Sequence, residues 1–304
     1  MSEARIVAVC VSVKTGTAKK PVESAVAVEN HGIKGDAHAG MEGELSHRQV
    51  SLLARESVDV MREKGVEVAP GGFGENLLTE GIDLVTLPVS TALRVGQDVL
   101  LRVTQIGKVC HTRCAIYYQA GDCIMPREGI FTEVLSGGEV RPGDCVQVLP
   151  AAAVLTVSDR SAAGQRKDGS GPVVAGMLGE NGFHVLATEI VPDDQSTIER
   201  KLRHYARQAG VIVTTGGTGI GPRDVTPEAT KAVIVQELPG FGEVMRNASF
   251  QITPNAILSR ATAGVCGRCL IVNLPGSPKG AKECLEMVLP SMRHAFDMLR
   301  GKGH

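Results

Sequence analysis

Aromatic side chains make up only 3% of the 304 residues, and tryptophan is absent. A stacking platform for nucleic-acid bases needs such rings, so their scarcity argues against one. Charge of one sign is missing too. The 32 Lys and Arg stand against 33 Asp and Glu, a formal net charge of −1. Nucleic-acid surfaces are generally basic, so no nucleic-acid partner is expected. No apolar run is long enough to span a bilayer, and no membrane partner is expected. Met1 to Arg5 runs straight into the strand-like Ile6–Val11 with no signal segment, so the expected location is the cytoplasm. There the eight cysteines read as thiols, metal ligands or redox groups rather than disulfides. What is present is a globular composition, 43% hydrophobic and 21% charged, on a chain long enough for two domains. The join is expected near Pro150, giving domains of residues 1–150 and 151–304.

The most informative stretch is Thr214-Thr215-Gly216-Gly217-Thr218-Gly219-Ile220-Gly221-Pro222-Arg223-Asp224. It follows the apolar run Val211-Ile212-Val213 and precedes a helical pattern at Thr226-Pro227-Glu228-Ala229. A glycine loop between strand and helix offers backbone amides and a helix N-terminus to an anion. A Walker A loop is excluded because no lysine follows Gly221, and Pro222 breaks the dinucleotide fingerprint. Thr226 reads as the helix N-cap and Pro227 as its first residue.

Around this loop the second half alternates strand and helix, which predicts a mostly parallel sheet covered by helices. Ligands of such sheets sit at the carboxyl ends of strands. Ser158-Asp159-Arg160, Asp193-Asp194, the Thr215–Asp224 loop and Pro275-Gly276-Ser277 all fall there. Ser196-Thr197-Ile198-Glu199 reads as a capping box, and Asp224 and Asp194 have helix capping as a competing role. Carboxylates, amides and Arg223 together suit phosphoryl or nucleotidyl transfer with magnesium. Cys266-Gly267-Arg268-Cys269 reads as a hairpin rather than a zinc site.

Val157-Ser158-Asp159-Arg160, Thr214–Gly219, Arg223–Thr230, Pro239–Glu243, Ala256–Arg260 and Asn273–Lys279 resemble the molybdopterin adenylyltransferase family. The resemblance implies a Rossmann-like α/β/α molybdopterin-binding fold and a homo-oligomer, often a trimer. It implies molybdopterin and Mg-ATP as substrates, with Asp193 and Asp224 as catalytic aspartates that hold magnesium or the nucleophile. Substrate or nucleotide would meet Ser158, Asp159, Arg160, Thr215, Gly216, Gly217, Thr218, Gly219, Arg223 and Ser277.

The first half reads as short strands between glycine turns with one helix near Ala54–Lys64, the pattern of a β-barrel. Its polar clusters are Lys34-Gly35-Asp36-Ala37-His38, His47-Arg48-Gln49, Gly71–Leu77 and Cys110-His111-Thr112-Arg113-Cys114, followed by Cys123. In that order they resemble a MOSC domain, a mostly-β barrel. The resemblance implies a module that binds molybdenum cofactor or carries sulfur as a persulfide, and that serves other molybdenum cofactor enzymes. Lys34, Asp36, His38, Arg48, Cys110, Cys114 and Cys123 are the residues concerned. Cations beside Cys110 favour a thiolate, while buried inert thiols and a metal site remain alternatives. Cys10 and Cys145 are expected in the core. The alternatives for the whole chain are a non-catalytic cofactor carrier and sulfur transfer centred on the N-terminal cysteines.

Overall fold

The computed structural model describes residues 4–109, 118 and 123–301, which form two compact units, Met1–Leu149 and Pro150–His304. In the first unit the strands are β1 (Arg5–Val11), β2 (Lys20–Val22), β3 (Ala25–Val28), β4 (Gly32–Ile33), β5 (Val50–Ala54) and β6 (Leu77–Glu80). They continue with β7 (Ala92–Val95), β8 (Val99–Ile106), β9 (Ile130–Ser136), β10 (Gly138–Val140) and β11 (Val146–Leu149). Eight make one sheet in the order β11-β7-β8-β9-β5-β6-β1-β2, and β10-β3-β4 make a second. Backbone bonds also join the start of β1 to the segment before β11: Ile6 N–H to Asp144 O at 2.8 Å, Gly143 N–H to Ile6 O at 2.8 Å and Val146 N–H to Ala4 O at 2.7 Å.

Strand side chains alternate between faces, and here both faces are buried. Leu52, Leu77 and Ile130 enter one apolar cluster, while their neighbours Leu53, Leu78 and Phe131 enter another. The second cluster also takes Val58 and Met61 from the Arg55–Glu63 helix, which ends at Gly65 with φ of 86°. Cys10 is buried as expected, but Cys145 is exposed. Cys145 lies one residue before β11 begins, opposite the edge residue Arg5, which leaves its side chain outside the packed face.

In the second unit the strands are β12 (Ala151–Val157), β13 (His184–Val191), β14 (Val211–Thr215), β15 (Gln236–Glu237), β16 (Ala263–Cys266) and β17 (Cys269–Leu274). Their order is β13-β12-β14-β17-β16-β15. β12, β13, β14 and β17 are parallel, whereas β16 pairs antiparallel with both β17 and β15, so the sheet is mixed. The β16–β17 hairpin turns at Gly267, φ 61°, as its sequence predicts. β12 starts at Ala151, and the three alanines before Val154 are all buried.

Alternation along β14 sends Val211 and Val213 to one face and Ile212 to the other. The first face is covered by the helices Ser170–Glu180, Pro239–Phe250 and Pro278–Leu299, through Leu178, Met245 and Leu285. The second is covered by Gln195–Tyr205 and Thr226–Lys231, through Ile198, Leu202 and Ala229. The unit is therefore an α/β/α sandwich, and its parallel strands all end on one edge. Among the described residues no helix is long and apolar enough to cross a membrane.

Candidate functional site

At that edge the loops after β12, β13, β14 and β17 are tied to one another. Asp159 N–H donates to Asp193 Oδ2 at 2.7 Å, and Asp193 N–H donates back to Asp159 Oδ1 at 3.0 Å. Arg223, from the glycine loop, donates to both oxygens of Asp159, Nε to Oδ2 at 3.0 Å and Nη2 to Oδ1 at 2.9 Å. Thr215 Oγ1 donates to Pro275 O at 2.7 Å, which links the ends of β14 and β17. The predicted convergence of Ser158-Asp159, Asp193, the glycine loop and the Ser277 segment is thus a set of named bonds.

The glycines allow close approach. A Cβ on Gly216, φ 101°, would run into the Val157 carbonyl. A Cβ on Gly217 would strike the Thr226 hydroxyl and come within 3.2 Å of Asp193 Oδ1. A Cβ on Gly276 would lie 3.0 Å from Gly216 Cα. Thr218 is buried, and its carbonyl accepts from Arg260 N–H at 2.8 Å. Arg260 Nε donates to Gly219 O at 2.6 Å, Nη2 donates to Asp224 O, and Nη1 pairs with Glu228. One guanidinium therefore holds the loop's carbonyls at its back.

Several capping roles differ from expectation. Thr226 is the first helical residue, not the cap; its buried hydroxyl donates to Gly216 O at 2.9 Å and pins the loop. Asp224 does not cap that helix; its Oδ2 accepts from Gly221 N–H at 2.8 Å and closes the loop. Asp194, not Ser196, caps the next helix by accepting from Thr197 N–H at 2.8 Å. Ser196 lies inside that helix and donates to Asp194 at 2.7 Å. Ser158 and Ser277 each cap a helix, accepting from Ser161 N–H and Gly280 N–H. Arg160 is exposed and its side chain makes no bond among the described residues.

The electrostatics follow. Burial, with the charges of Asp159 and Asp224 nearby, pushes the Asp193 carboxyl above its usual range. The bond from Arg223 holds Asp159 below it. Asp193 thus feels two further carboxylates, Asp159 and Asp224, against the guanidinium of Arg223, an excess of negative charge that a cation would offset. Among the described residues no group of three or more His, Cys, Asp or Glu is placed to enclose a metal. A magnesium ion held through one or two carboxylates and substrate phosphates would need no such enclosure.

Sequence reading missed Asp168 and Asn273. Asp168 accepts from Thr156 Oγ1 at 2.6 Å and from the amides of Ser170 and Gly171, which starts the helix at Ser170. An acidic residue two places before that serine was the available signal. Asn273, fully buried, donates to Thr214 Oγ1 and Thr230 Oγ1 at 2.9 Å each.

In the first unit Asp36 and Lys19 form a buried ion pair, Nζ to Oδ1 at 2.7 Å. His38 Nδ1 lies 3.2 Å from both partners. Burial acts to raise the Asp36 carboxyl, but the bonds from His38 and Lys19 prevail and hold it well below its usual range. Lys19 was not anticipated; nothing in Ala18-Lys19-Lys20-Pro21 marks one lysine as buried. Lys34 is exposed and stands apart from this pair. Arg48 Nε and His47 Nε2 both meet Gln105 Oε1, at 2.9 and 2.7 Å. Cys123 is half-buried beside the Phe131 cluster, while Cys110 and Cys114 lie outside the described residues.

Glu75 is buried and accepts from Gly71 N–H at 2.6 Å and Phe73 N–H at 3.1 Å. Burial outweighs those bonds and pushes its carboxyl from 4.5 up to about 6. The folded state thus binds this proton more tightly than the unfolded chain does. The associated stability is present below pH 4.5 and lost as pH rises through about 6. Urea midpoints measured from pH 4 to 7 are expected to show that loss, about 2 kcal/mol by linkage. Glu75→Gln should flatten that part of the profile; an unchanged slope would assign the loss elsewhere.

A glycine loop, paired aspartates and an arginine at the carboxyl edge of a parallel sheet define a phosphate-handling α/β unit. Residues 153–294 match the family described as "Probable molybdopterin binding domain", and residues 34–147 match "MOSC domain". A molybdopterin adenylyltransferase of Helicobacter pylori strain J99 is 45% identical over 152 residues, covering 49% of this chain and 86% of that protein. A molybdenum cofactor biosynthesis bifunctional protein of Chlorobaculum tepidum is 38% identical over 211 residues, 69% of this chain and 65% of that one. The molybdopterin biosynthesis enzyme MoaB of Thermus thermophilus is 46% identical, covering 51% of this chain and 98% of that structure, with a TM-score of 0.48. The chain belongs to the molybdopterin adenylyltransferase family through its second unit, and carries a MOSC domain in its first. It is a nucleotidyltransferase of molybdenum cofactor biosynthesis.

Proposed function

We propose that the second unit joins the adenylyl group of ATP to the terminal phosphate of molybdopterin in a magnesium-dependent reaction. A pterin phosphate oxygen attacks the α-phosphorus, a new P–O–P bond forms, and pyrophosphate leaves with the electrons of the broken bond. The observation that carries this reading is the bonded cluster Asp159–Asp193–Arg223 beside the glycine loop. Amides of Gly217 and Gly219 are the donors for phosphate oxygens, since Gly216 N–H is already given to Leu274 O at 3.2 Å, with Thr218, Ser158 and Ser277 lining the approach. Arg223 neutralises charge at the same edge, and the exposed Arg160 would meet an incoming phosphate. Asp193 and Asp224 would hold magnesium, which when bound offsets charge on the phosphate oxygens.

The test is to incubate the purified protein with molybdopterin, magnesium and α-labelled ATP and follow label onto the pterin. Labelled adenylyl-molybdopterin is the expected product; tight pterin binding without transfer would overturn the reaction.

For the first unit we infer a closed β-barrel that binds molybdenum cofactor or carries sulfur. The bonds between β1 and the segment before β11 support closure. Asp36, His38, Arg48 and Cys123, with Cys110 and Cys114, are the proposed site residues. A homo-oligomer, a trimer on the family's pattern, is also proposed. Val244, Phe250, Ile252, Ile257 and Leu258 are exposed apolar residues that such an assembly would cover.

A further inference from the structure

The glycine loop is held from behind by Arg260, and Arg260 is itself held. Its backbone N–H donates to Thr218 O at 2.8 Å, its Nε donates to Gly219 O at 2.6 Å, and Nη2 donates to Asp224 O. Nη1 pairs with Glu228. Arg246, on the Pro239–Phe250 helix, donates from Nη1 to Ala261 O at 2.9 Å and to Ser259 O at 3.4 Å. These are the carbonyls of the residues on either side of Arg260. Room for the Arg246 guanidinium comes from the buried Gly242 on the same helix. A Cβ there would fall 2.9 Å from Arg246 Nη1 and 2.5 Å from Ala261 O. The stretches 239–243 and 256–260, which supply none of the groups assigned to substrate, thus meet in one brace.

A trans peptide points its C=O and N–H in opposite directions. No peptide bond among the described residues is cis. A carbonyl turned toward Arg260 therefore turns the next residue's N–H away from it. The three held carbonyls fix the N–H groups of Gly219, Ile220 and Val225 in this way. None of those three is given to another group among the described residues, whereas the N–H groups of Gly216, Gly221 and Thr226 go to Leu274 O, Asp224 Oδ2 and Gly217 O. Without the brace a peptide beside glycine can rotate, because glycine accepts both signs of φ. Rotation would show a phosphate the carbonyl oxygen in place of the N–H. A cation on the carbonyl also polarises the peptide and strengthens its N–H as a donor. Loop closure does not need this guanidinium. Asp224 Oδ2 accepts from Gly221 N–H at 2.8 Å, and Thr226 Oγ1 donates to Gly216 O at 2.9 Å, both without it.

We propose that Arg260 is a positioning residue for adenylyl transfer: by taking the carbonyls of Thr218, Gly219 and Asp224 it presets the amides of Gly219, Ile220 and Val225 as donors to phosphate oxygens, and Arg246 holds Arg260 in register. The proposal rests on the adenylyl-transfer reading of this edge. It adds Ile220 and Val225 to the donor set, each through its backbone alone.

Full-length wild type, Arg260→Gln, Arg260→Lys and Arg246→Gln are compared in two assays. One follows label from α-labelled ATP to molybdopterin; the other is equilibrium dialysis against labelled pyrophosphate. R260Q is expected to lower kcat at least about tenfold, the scale of losing one preorganised donor, and to weaken pyrophosphate binding severalfold. R260K should recover only part of the loss, because a single ammonium cannot hold two carbonyls in the geometry of a fork. R246Q should move both readouts the same way by less. A drop in the urea midpoint of R260Q with both assays at wild-type values would make Arg260 a brace for stability alone and overturn the proposal. Should both Arg260 variants fail to fold, R246Q carries the test, and wild-type values for it in both assays overturn the proposal. If wild type itself transfers no label, the reaction reading fails separately, and pyrophosphate binding decides for or against Arg260.

Discussion

Asp224→Asn is expected to slow adenylyl transfer at least about 100-fold, the scale of removing one preorganised electrostatic group from an active site. The substitution keeps the loop closed, because an amide oxygen still accepts from Gly221 N–H, the bond that Asp224 Oδ2 makes at 2.8 Å. Arg260 also holds the Asp224 carbonyl from behind, independently of the side chain. What is lost is one negative charge beside Asp193. The unfolding midpoint should therefore move little while the rate collapses. Magnesium titration gives a second readout, with the concentration for half-maximal rate rising in the variant. Asp193→Asn should behave similarly, since its oxygen can still accept from Asp159 N–H. Rates within a few-fold of wild type in both folded variants would remove these aspartates from the reaction.

Gly216→Ala is expected to act in the opposite way, on stability first. The residue sits at φ 101°, outside the narrow left-handed region that side-chain-bearing residues tolerate. Its missing Cβ points at the Val157 carbonyl, at the end of the central strand β12. Backbone cannot swing aside as a flexible side chain can. Strain of about 1–3 kcal/mol for the dihedral alone is compounded by that clash, so a total loss of roughly 3 kcal/mol or more is expected. Gly217→Ala should cost less in stability, because its φ of 61° is accessible to other residues. Its new Cβ meets the Thr226 hydroxyl and nears Asp193, so activity should suffer more than fold. Urea unfolding of both variants, alongside transfer rates, checks this ordering. Equal stability losses would mean that the loop relaxes more freely than its contacts imply.

The two halves were legible in the sequence to different degrees, for physical reasons. In the second unit β-branched runs such as Val211-Ile212-Val213 are unmistakable strands, and strand-end loops must share an edge once the sheet is parallel. Asp159, Asp193 and the glycine loop were found that way. The capping assignments failed at Thr226 and Ser196 because several polar side chains near a helix start compete for the same few amides. Which one wins depends on loop shape, and Thr226 was taken by Gly216 O, a partner 10 residues earlier. Lys19 and Arg260 were invisible as functional partners for a related reason. Each reaches a residue 17 or 41 positions away, and no local period encodes such pairs. Cys145 sits just outside β11, where a small shift in strand boundary decides between core and solvent.

The bonds from Ile6 to Gly143 and Asp144 have a consequence for the protein's birth on the ribosome. The first strand of this unit to leave the exit tunnel is completed by nearly the last residues of the same unit. At about 5–20 residues per second, β1 must wait on the order of ten seconds or more for that partner. Through that interval an apolar strand stays short of the pairs that will cover it, and chaperones or neighbouring nascent chains have time to reach it. The second unit begins with the residue that follows β11, so its synthesis starts as the first becomes able to finish folding.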